Sequence, residues 1–112
     1  MRSYKSGEVV ELMFPFQEVT GKKIRPALVI KDYGETIAVL KITSKHKGRA
    51  WDIELPKDAF NGLTVDSVVQ ADSYIELSKT EIVQITPRGT VNPLQLGIIK
   101  EKLKEYLAET YS

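Results

Sequence analysis

Arg25 stands just ahead of Pro26 and a wholly apolar run, Ala27-Leu28-Val29-Ile30, so its charge is one that the run does not need. Proline cannot donate to a sheet ladder and belongs at a strand's first residue, at an edge or at a bulge. Pro26 therefore marks where a strand enters the sheet, and Arg25 is a rim residue. A guanidinium held at a rim by a rigid neighbour presents a planar fork of donors suited to phosphate or carboxylate; the alternative is a salt-bridged surface arginine. Lys22 and Lys23 approach Arg25 in sequence, and a denser basic group follows at Lys41, Lys45, His46, Lys47 and Arg49, with Trp51 just beyond. If the strands flanking Asp32-Tyr33-Gly34-Glu35 are antiparallel neighbours, the end of one lies beside the start of the other, and Thr43 shares a rim with Arg25. A hydroxyl, a guanidinium and several lysines then converge on a phosphate site, where Trp51 could stack a base. Two alternatives stand beside this: the loop as a solvated hairpin tip, and Trp51, on the apolar face of an alternating strand, as a core residue.

Other chemistries are thinly supplied. The chain has no cysteine, which removes disulfides, thiolate zinc sites and cysteine nucleophiles together, and His46 is its one histidine. A histidine-built metal site or a two-histidine ribonuclease mechanism within one chain is thereby disfavoured. No phosphate-cradling glycine loop and no Ser-His-Asp context is present, and no cofactor is expected. Glu18, Asp52, Glu54, Asp66 and Asp72 are too scattered to nominate a carboxylate pair from spacing.

The elements that must position these residues are mostly short strands. Glu8 to Phe14 predicts the first, ended by Pro15, and Phe16–Lys23 a loop returning the chain as a wide antiparallel hairpin. Thr36–Thr43 predicts a strand after a tight turn at Gly34, and Trp51-Asp52-Ile53-Glu54-Leu55 alternates with its carboxylates on a solvent face. Pro56–Phe60 suggests a helical turn ended by Asn61-Gly62. A short strand over Ser67–Gln70, a further segment at Tyr74–Leu77 and a strand over Glu81–Thr86 closed by Pro87-Arg88-Gly89 complete the signature of a small barrel or sandwich. The end differs in kind. Asn92 as N-cap, Pro93 and Gln95 start a helix, and Leu96, Ile99, Leu103, Tyr106 and Leu107 form one stripe to lie across the sheet. Lys100, Glu101, Lys104 and Glu105 face water.

The fold class expected is mainly β with a C-terminal α-helix packed on it, in one domain over residues 1–112. A composition of 42% hydrophobic and 28% charged residues is that of a folded chain rather than a disordered one. Met1 to Glu11 has no apolar stretch of secretory length and no run approaches a membrane span, so the expected location is the cytoplasm, with no membrane partner. A net charge of +1 means that any nucleic-acid binding must rest on local clustering of Lys and Arg.

The order of elements and several words of the sequence resemble the PemK/MazF-like toxins of toxin-antitoxin systems. The resemblance lies in Gly7-Glu8-Val9-Val10 with Phe14-Pro15-Phe16, Lys23-Ile24-Arg25-Pro26-Ala27-Leu28-Val29-Ile30, Ile42-Thr43-Ser44, the Val68-to-Asp72 strand and the C-terminal helix. It implies a small SH3-like β-barrel, a homodimer, an antitoxin partner, and metal-independent, sequence-specific endoribonuclease cleavage of single-stranded RNA. It further implies Arg25 and Thr43 as catalytic positions. Arg25 would stabilise charge developing on the phosphoryl oxygens as a ribose 2′-hydroxyl attacks, and Thr43 or Ser44 would hold the phosphate in line. Proton transfer is open between Glu18, His46 and an activated water. Lys22, Lys23, Lys45, His46, Lys47, Arg49 and Asp72 are the residues expected to bind RNA. The chain departs from the family pattern in having Gln17-Glu18-Val19-Thr20-Gly21 for a Gly-x-Glu-Gln sequence, Ile75-Glu76 for an Arg-Thr pair, and Gln70 where some members have arginine. The alternative function is accordingly a non-catalytic module of the same fold, either a gyrase-poison-like protein or an RNA-binding regulator.

Overall fold

The computed structural model describes residues 2–13, 24–45, 48–82 and 85–111. They form six antiparallel strands, β1 (Glu8–Met13), β2 (Ile24–Asp32), β3 (Thr36–Thr43), β4 (Asp52–Leu55), β5 (Ser67–Ser78) and β6 (Ile85–Thr90), followed by helix α1 (Pro93–Tyr111). The sheet order is β4-β5-β3-β2-β1-β6. The β-rich class with a C-terminal helix is the one expected. Among the described residues the ladder stays open between β4 and β6, so no strand pairing closes a barrel.

The alternation within β2 divides the core between the two faces of the sheet. Leu28 packs with Val9, Leu40, Ile42, Val69, Ile99 and Leu103 on the face that α1 covers. Ala27 and Val29 pack with Val10, Leu12, Ile37 and Val39 on the other, beneath Tyr4 from the N-terminal segment. All three β2 residues are inaccessible to solvent, as a strand without a polar face requires.

β5 is continuous where two separate segments are expected from sequence. Its pairing with β3 jumps from Val39↔Ile75 to Lys41↔Gln70, so the residues from Ala71 to Tyr74 bulge. Ser73 fills the gap: its hydroxyl donates to the Gln70 carbonyl (2.6 Å) and accepts the Lys41 N–H (2.8 Å). A side-chain hydroxyl thus satisfies backbone groups that the bulge removes from the ladder, and the strand continues through a polar pair that looks like a break.

β6 is displaced from its expected place: Glu81 lies in a turn, with its N–H on the Ser78 carbonyl (3.1 Å), and Pro87-Arg88-Gly89 lies inside the strand instead of ending it. An edge strand accommodates proline, and the register slips between Val9↔Gly89 and Val10↔Pro87, leaving Arg88 as an extra residue. The helical turn expected over Pro56–Phe60 is instead a non-helical turn in which Asp58 Oδ1 accepts the N–H groups of Phe60 and Asn61, both at 2.8 Å. The expected end of β1 at Phe14 and Pro15 lies outside the described residues.

The segment between β4 and β5 closes the open side of the sheet by another route. Thr90 N–H donates to the Phe60 carbonyl at 2.8 Å. A Cβ on Gly89 would fall 2.2 Å from the Phe60 oxygen, and one on Gly62 would fall 2.3 Å from the Arg88 oxygen. Only glycine at both positions lets the two backbones approach so closely. Gly62 also adopts a φ of +71°, which disfavours any side chain there.

The helix begins as its sequence predicts. Asn92 Oδ1 accepts the Gln95 N–H at 2.8 Å. The Gln95 side chain donates to the Glu54 carbonyl at 2.7 Å, tying the start of α1 to β4. Ile99 and Leu103 are buried, with Leu96, Tyr106 and Leu107 packed beside them. No helix among the described residues is long and apolar enough to cross a membrane.

Candidate functional site

Antiparallel pairing of β2 with β3 sets Ala27 opposite Lys41 at the rim end of their ladder, and Arg25 and Thr43 each lie two residues beyond that pair. Both residues line a cleft of about 230 Å³ at the strand ends, with Ile24, Pro26, Ile42, Ser44 and Lys45 from the same hairpin. The other wall is formed by Leu63, Thr64, Val65 and Ser67 after β4, and by Arg88 of β6. Met13 and Ile24 are ladder partners at this rim.

The lining has three cations, Arg25, Lys45 and Arg88, four hydroxyl residues, and among the described residues no carboxylate. Such a lining attracts anions and supplies donors that can follow a phosphate's oxygens. Thr43 is partly buried, and its Oγ1 accepts the Lys45 N–H at 3.1 Å. This local turn fixes the hydroxyl where the strand ends and leaves its own proton to donate. Ser67 is buried, with its hydroxyl on the Val65 carbonyl at 3.0 Å, which shapes the opposite wall. Ile24 and Val65 are about half exposed at the mouth (47% and 51%), and offer apolar surface beside the cations.

Other residues singled out from sequence lie elsewhere. Arg49 and Asp72 form an ion pair with each other and do not line the cleft. Arg49 also donates its backbone N–H to Asp52, which is half-buried rather than on the open solvent face expected for it. Trp51 stacks edge-to-face on Tyr106 (centroids 5.3 Å apart, 70° between planes), with Lys102 Nζ 5.5 Å from its ring, so its packing is against α1. Glu18, Lys22, Lys23, His46 and Lys47 lie outside the described residues. Among the described residues no three His, Asp or Glu side chains gather as metal ligands.

Arg88, Thr64, Val65 and Ser67 are the lining residues that sequence reasoning misses. Pro87-Arg88-Gly89 carries a turn signal, and nothing local in it indicates that the residue is brought to Arg25. The usable signal is the alternation resuming around it, Ile85-Thr86 before and Thr90-Val91 after, with Pro87 permitted because the strand is an edge.

The family model for PemK-like, MazF-like toxins of type II toxin-antitoxin systems matches residues 5–107. Among solved structures, MazF (Form-I) from Deinococcus radiodurans is 24% identical, with a TM-score of 0.78 over 96% of this chain and 99% of that one. The MazE-MazF complex (Form-III) from the same organism is 24% identical, with a TM-score of 0.75 over 94% and 96% of the two chains. An endoribonuclease in complex with its cognate antitoxin from a mycobacterial species is 17% identical, with a TM-score of 0.72 over 95% and 96%. No curated protein shows a significant sequence match. At these identities the solved structures carry the fold alone, and it is the match across nearly all of β1 to α1 that makes this chain a member of the PemK-like, MazF-like toxin family.

Proposed function

We propose that the protein is the toxin of a toxin-antitoxin pair and cleaves single-stranded RNA without a metal ion, using the cleft between Arg25 and Thr43. The observation that carries this is the convergence of a guanidinium, a turn-fixed hydroxyl and two further cations in a cleft whose described lining holds no carboxylate. RNA contains its own nucleophile. Attack of a ribose 2′-oxygen on the adjacent phosphorus forms a 2′,3′-cyclic phosphate and breaks the bond to the next nucleotide's 5′-oxygen, which leaves as a hydroxyl once protonated. The protein must remove the 2′-proton, supply the leaving-group proton and stabilise the charge that builds on the phosphoryl oxygens. Arg25 serves the last need, and Thr43 or Ser44 holds the phosphate in line. Glu18, His46 or a water positioned by them moves the protons, with Lys22, Lys23, Lys45 and Lys47 drawing the strand in.

An antitoxin covering this cationic rim would block substrate by charge as well as by bulk. The MazF neighbours solved with MazE support such a partner, and we extend the same family reading to a homodimer in the cytoplasm.

The deciding experiment incubates purified protein with a long single-stranded RNA in EDTA and maps the fragment ends, with Arg25→Ala alongside. Cuts at a recurring short motif are expected from the wild type, with at least about a 100-fold loss in the variant, the scale seen on removing one charge-stabilising donor. Intact RNA from folded wild-type protein, or undiminished cutting by Arg25→Ala, would overturn the proposal. The first of these would favour a binding module of the same fold.

A further inference from the structure

Arg88 is unusual in how its backbone is held. It is the extra residue of the β6 bulge, standing between Pro87 opposite Val10 and Gly89 opposite Val9. The segment after β4 locks that bulge in place through the Thr90 N–H to Phe60 carbonyl bond and the glycine contacts at 62 and 89. A bulge commonly re-aims one side chain, and this one is pinned on the side that carries Leu63 to Ser67, the far wall of the cleft. The side chain is 23% exposed and lies 3.5 Å from a Glu11 oxygen, itself 35% exposed. The pair is long and partly reached by water, so it does not by itself account for a locked bulge.

Resting on the ribonuclease reading above, we infer that Arg88 is a substrate-binding residue: it grips a phosphate of the single-stranded RNA from the β6 wall of the cleft that Arg25 and Thr43 also line. Glu11 holds the Arg88 side chain in reserve, and a phosphate replaces it as the better partner. A guanidinium presents a planar fork of donors that matches two oxygens of one phosphate, so Arg88 can hold the strand in the cleft as well as attract it. The exposed Ile24 and Val65 flank the same mouth and give the attached ribose and base an apolar surface.

The test measures binding of a 2′-O-methyl single-stranded RNA, which cannot be cut, across a range of salt concentrations. The proteins compared are wild type, Arg88→Met, Arg88→Lys and Glu11→Gln, each checked for an unchanged melting temperature. Methionine keeps an aliphatic stem and removes only the charge. Arg88→Met is expected to weaken binding about 3–10-fold near 0.1 M salt and to lower the slope of log K against log salt by about 0.7, the value for one phosphate contact on a single strand. Arg88→Lys should restore the slope with part of the affinity, and Glu11→Gln should tighten binding about two- to threefold. An unchanged slope in Arg88→Met would overturn the inference, as would tight binding that ignores both charges. Wild-type cleavage of natural RNA is measured in parallel. Cutting with an Arg88-independent slope removes this inference and keeps the ribonuclease. An Arg88-dependent slope without cutting does the reverse, and absence of both binding and cutting removes both.

Discussion

Replacing Gly89 by alanine tests whether the far wall of the cleft is held by backbone contact. The new Cβ would lie 2.2 Å from the Phe60 oxygen, 2.6 Å from the Asn61 carbonyl carbon and 2.9 Å from the Asn61 oxygen. All three are backbone atoms, so no side chain can swing aside, and the segment must retreat by roughly 1 Å to reach an ordinary contact. Two losses follow. Overpacking a fitted contact costs about 1–3 kcal/mol, and the Thr90 to Phe60 hydrogen bond, at about 1 kcal/mol, is stretched or broken. Gly89 is not among the glycines with positive φ, so alanine meets no strain of its own there and gains about 0.4–1 kcal/mol from a stiffer unfolded chain. The net expectation is a destabilisation of about 2–3 kcal/mol, or a fall of about 8–15 °C in Tm for a chain of this size. Thermal unfolding followed by circular dichroism measures it, with urea titration to check that the slope m is unchanged. A Tm within about 2 °C of wild type would refute the account of how the sheet's open side is closed.

Gly97→Ala should act in the opposite sense. A Cβ there meets nothing within 4 Å, and an exposed helical glycine costs about 0.5–1 kcal/mol relative to alanine, so Tm should rise by about 2–5 °C; a fall in the same melting experiment would contradict an open helix surface at that position. Asp32→Asn tests the anchor of the N-terminal segment. The Lys79 ammonium at 2.9 Å, helped by the N–H groups of Tyr4 and Gly34, holds the Asp32 carboxyl down at about 2, below the ordinary 3.8. The folded state favours the carboxylate, so this contribution is complete well above pH 3.8 and is lost as pH falls through about 2. The asparagine variant should be less stable by at most about 2 kcal/mol at pH 7, reduced by solvent screening, and the gap should close towards pH 2. A gap that persists in acid would place the effect in packing.

Much of the sheet is legible in the sequence because its periodicity survives in each strand. The apolar β2 run, the alternation of β4 and the Asn92-Pro93 start of α1 each follow from local chemistry that the tertiary structure leaves in force. Arg25 and Thr43 are legible together for a related reason: they lie on consecutive antiparallel strands joined by a tight turn, two residues beyond the last pair of that ladder, and so come to one rim. The illegible parts are those where a signal for stopping is overruled. Asp72-Ser73 looks like a break until the Ser73 hydroxyl is found replacing ladder bonds. Pro87 and Gly89 look like the end of a strand, yet an edge position and a bulge accommodate the first while the second is required by the Phe60 backbone.

The far wall of the cleft shows why the site is harder to read than the fold. Asn61 is fully buried, and a buried amide must be satisfied: its Oδ1 accepts the Leu63 N–H at 3.0 Å and its Nδ2 donates to the Pro56 carbonyl at 2.9 Å. Those bonds give the segment a shape of its own, in place of the helical turn that Pro56 suggests. Only with that shape can Gly62 meet Arg88 and Phe60 meet Thr90, contacts between residues far apart in sequence. Asn61-Gly62 therefore has two roles, a turn that sequence reveals and a docking surface for β6 that it does not. The second brings Arg88 to the cleft, so the hairpin supplies the rim that holds Arg25, and the closure of the sheet supplies a further cation to the same cleft.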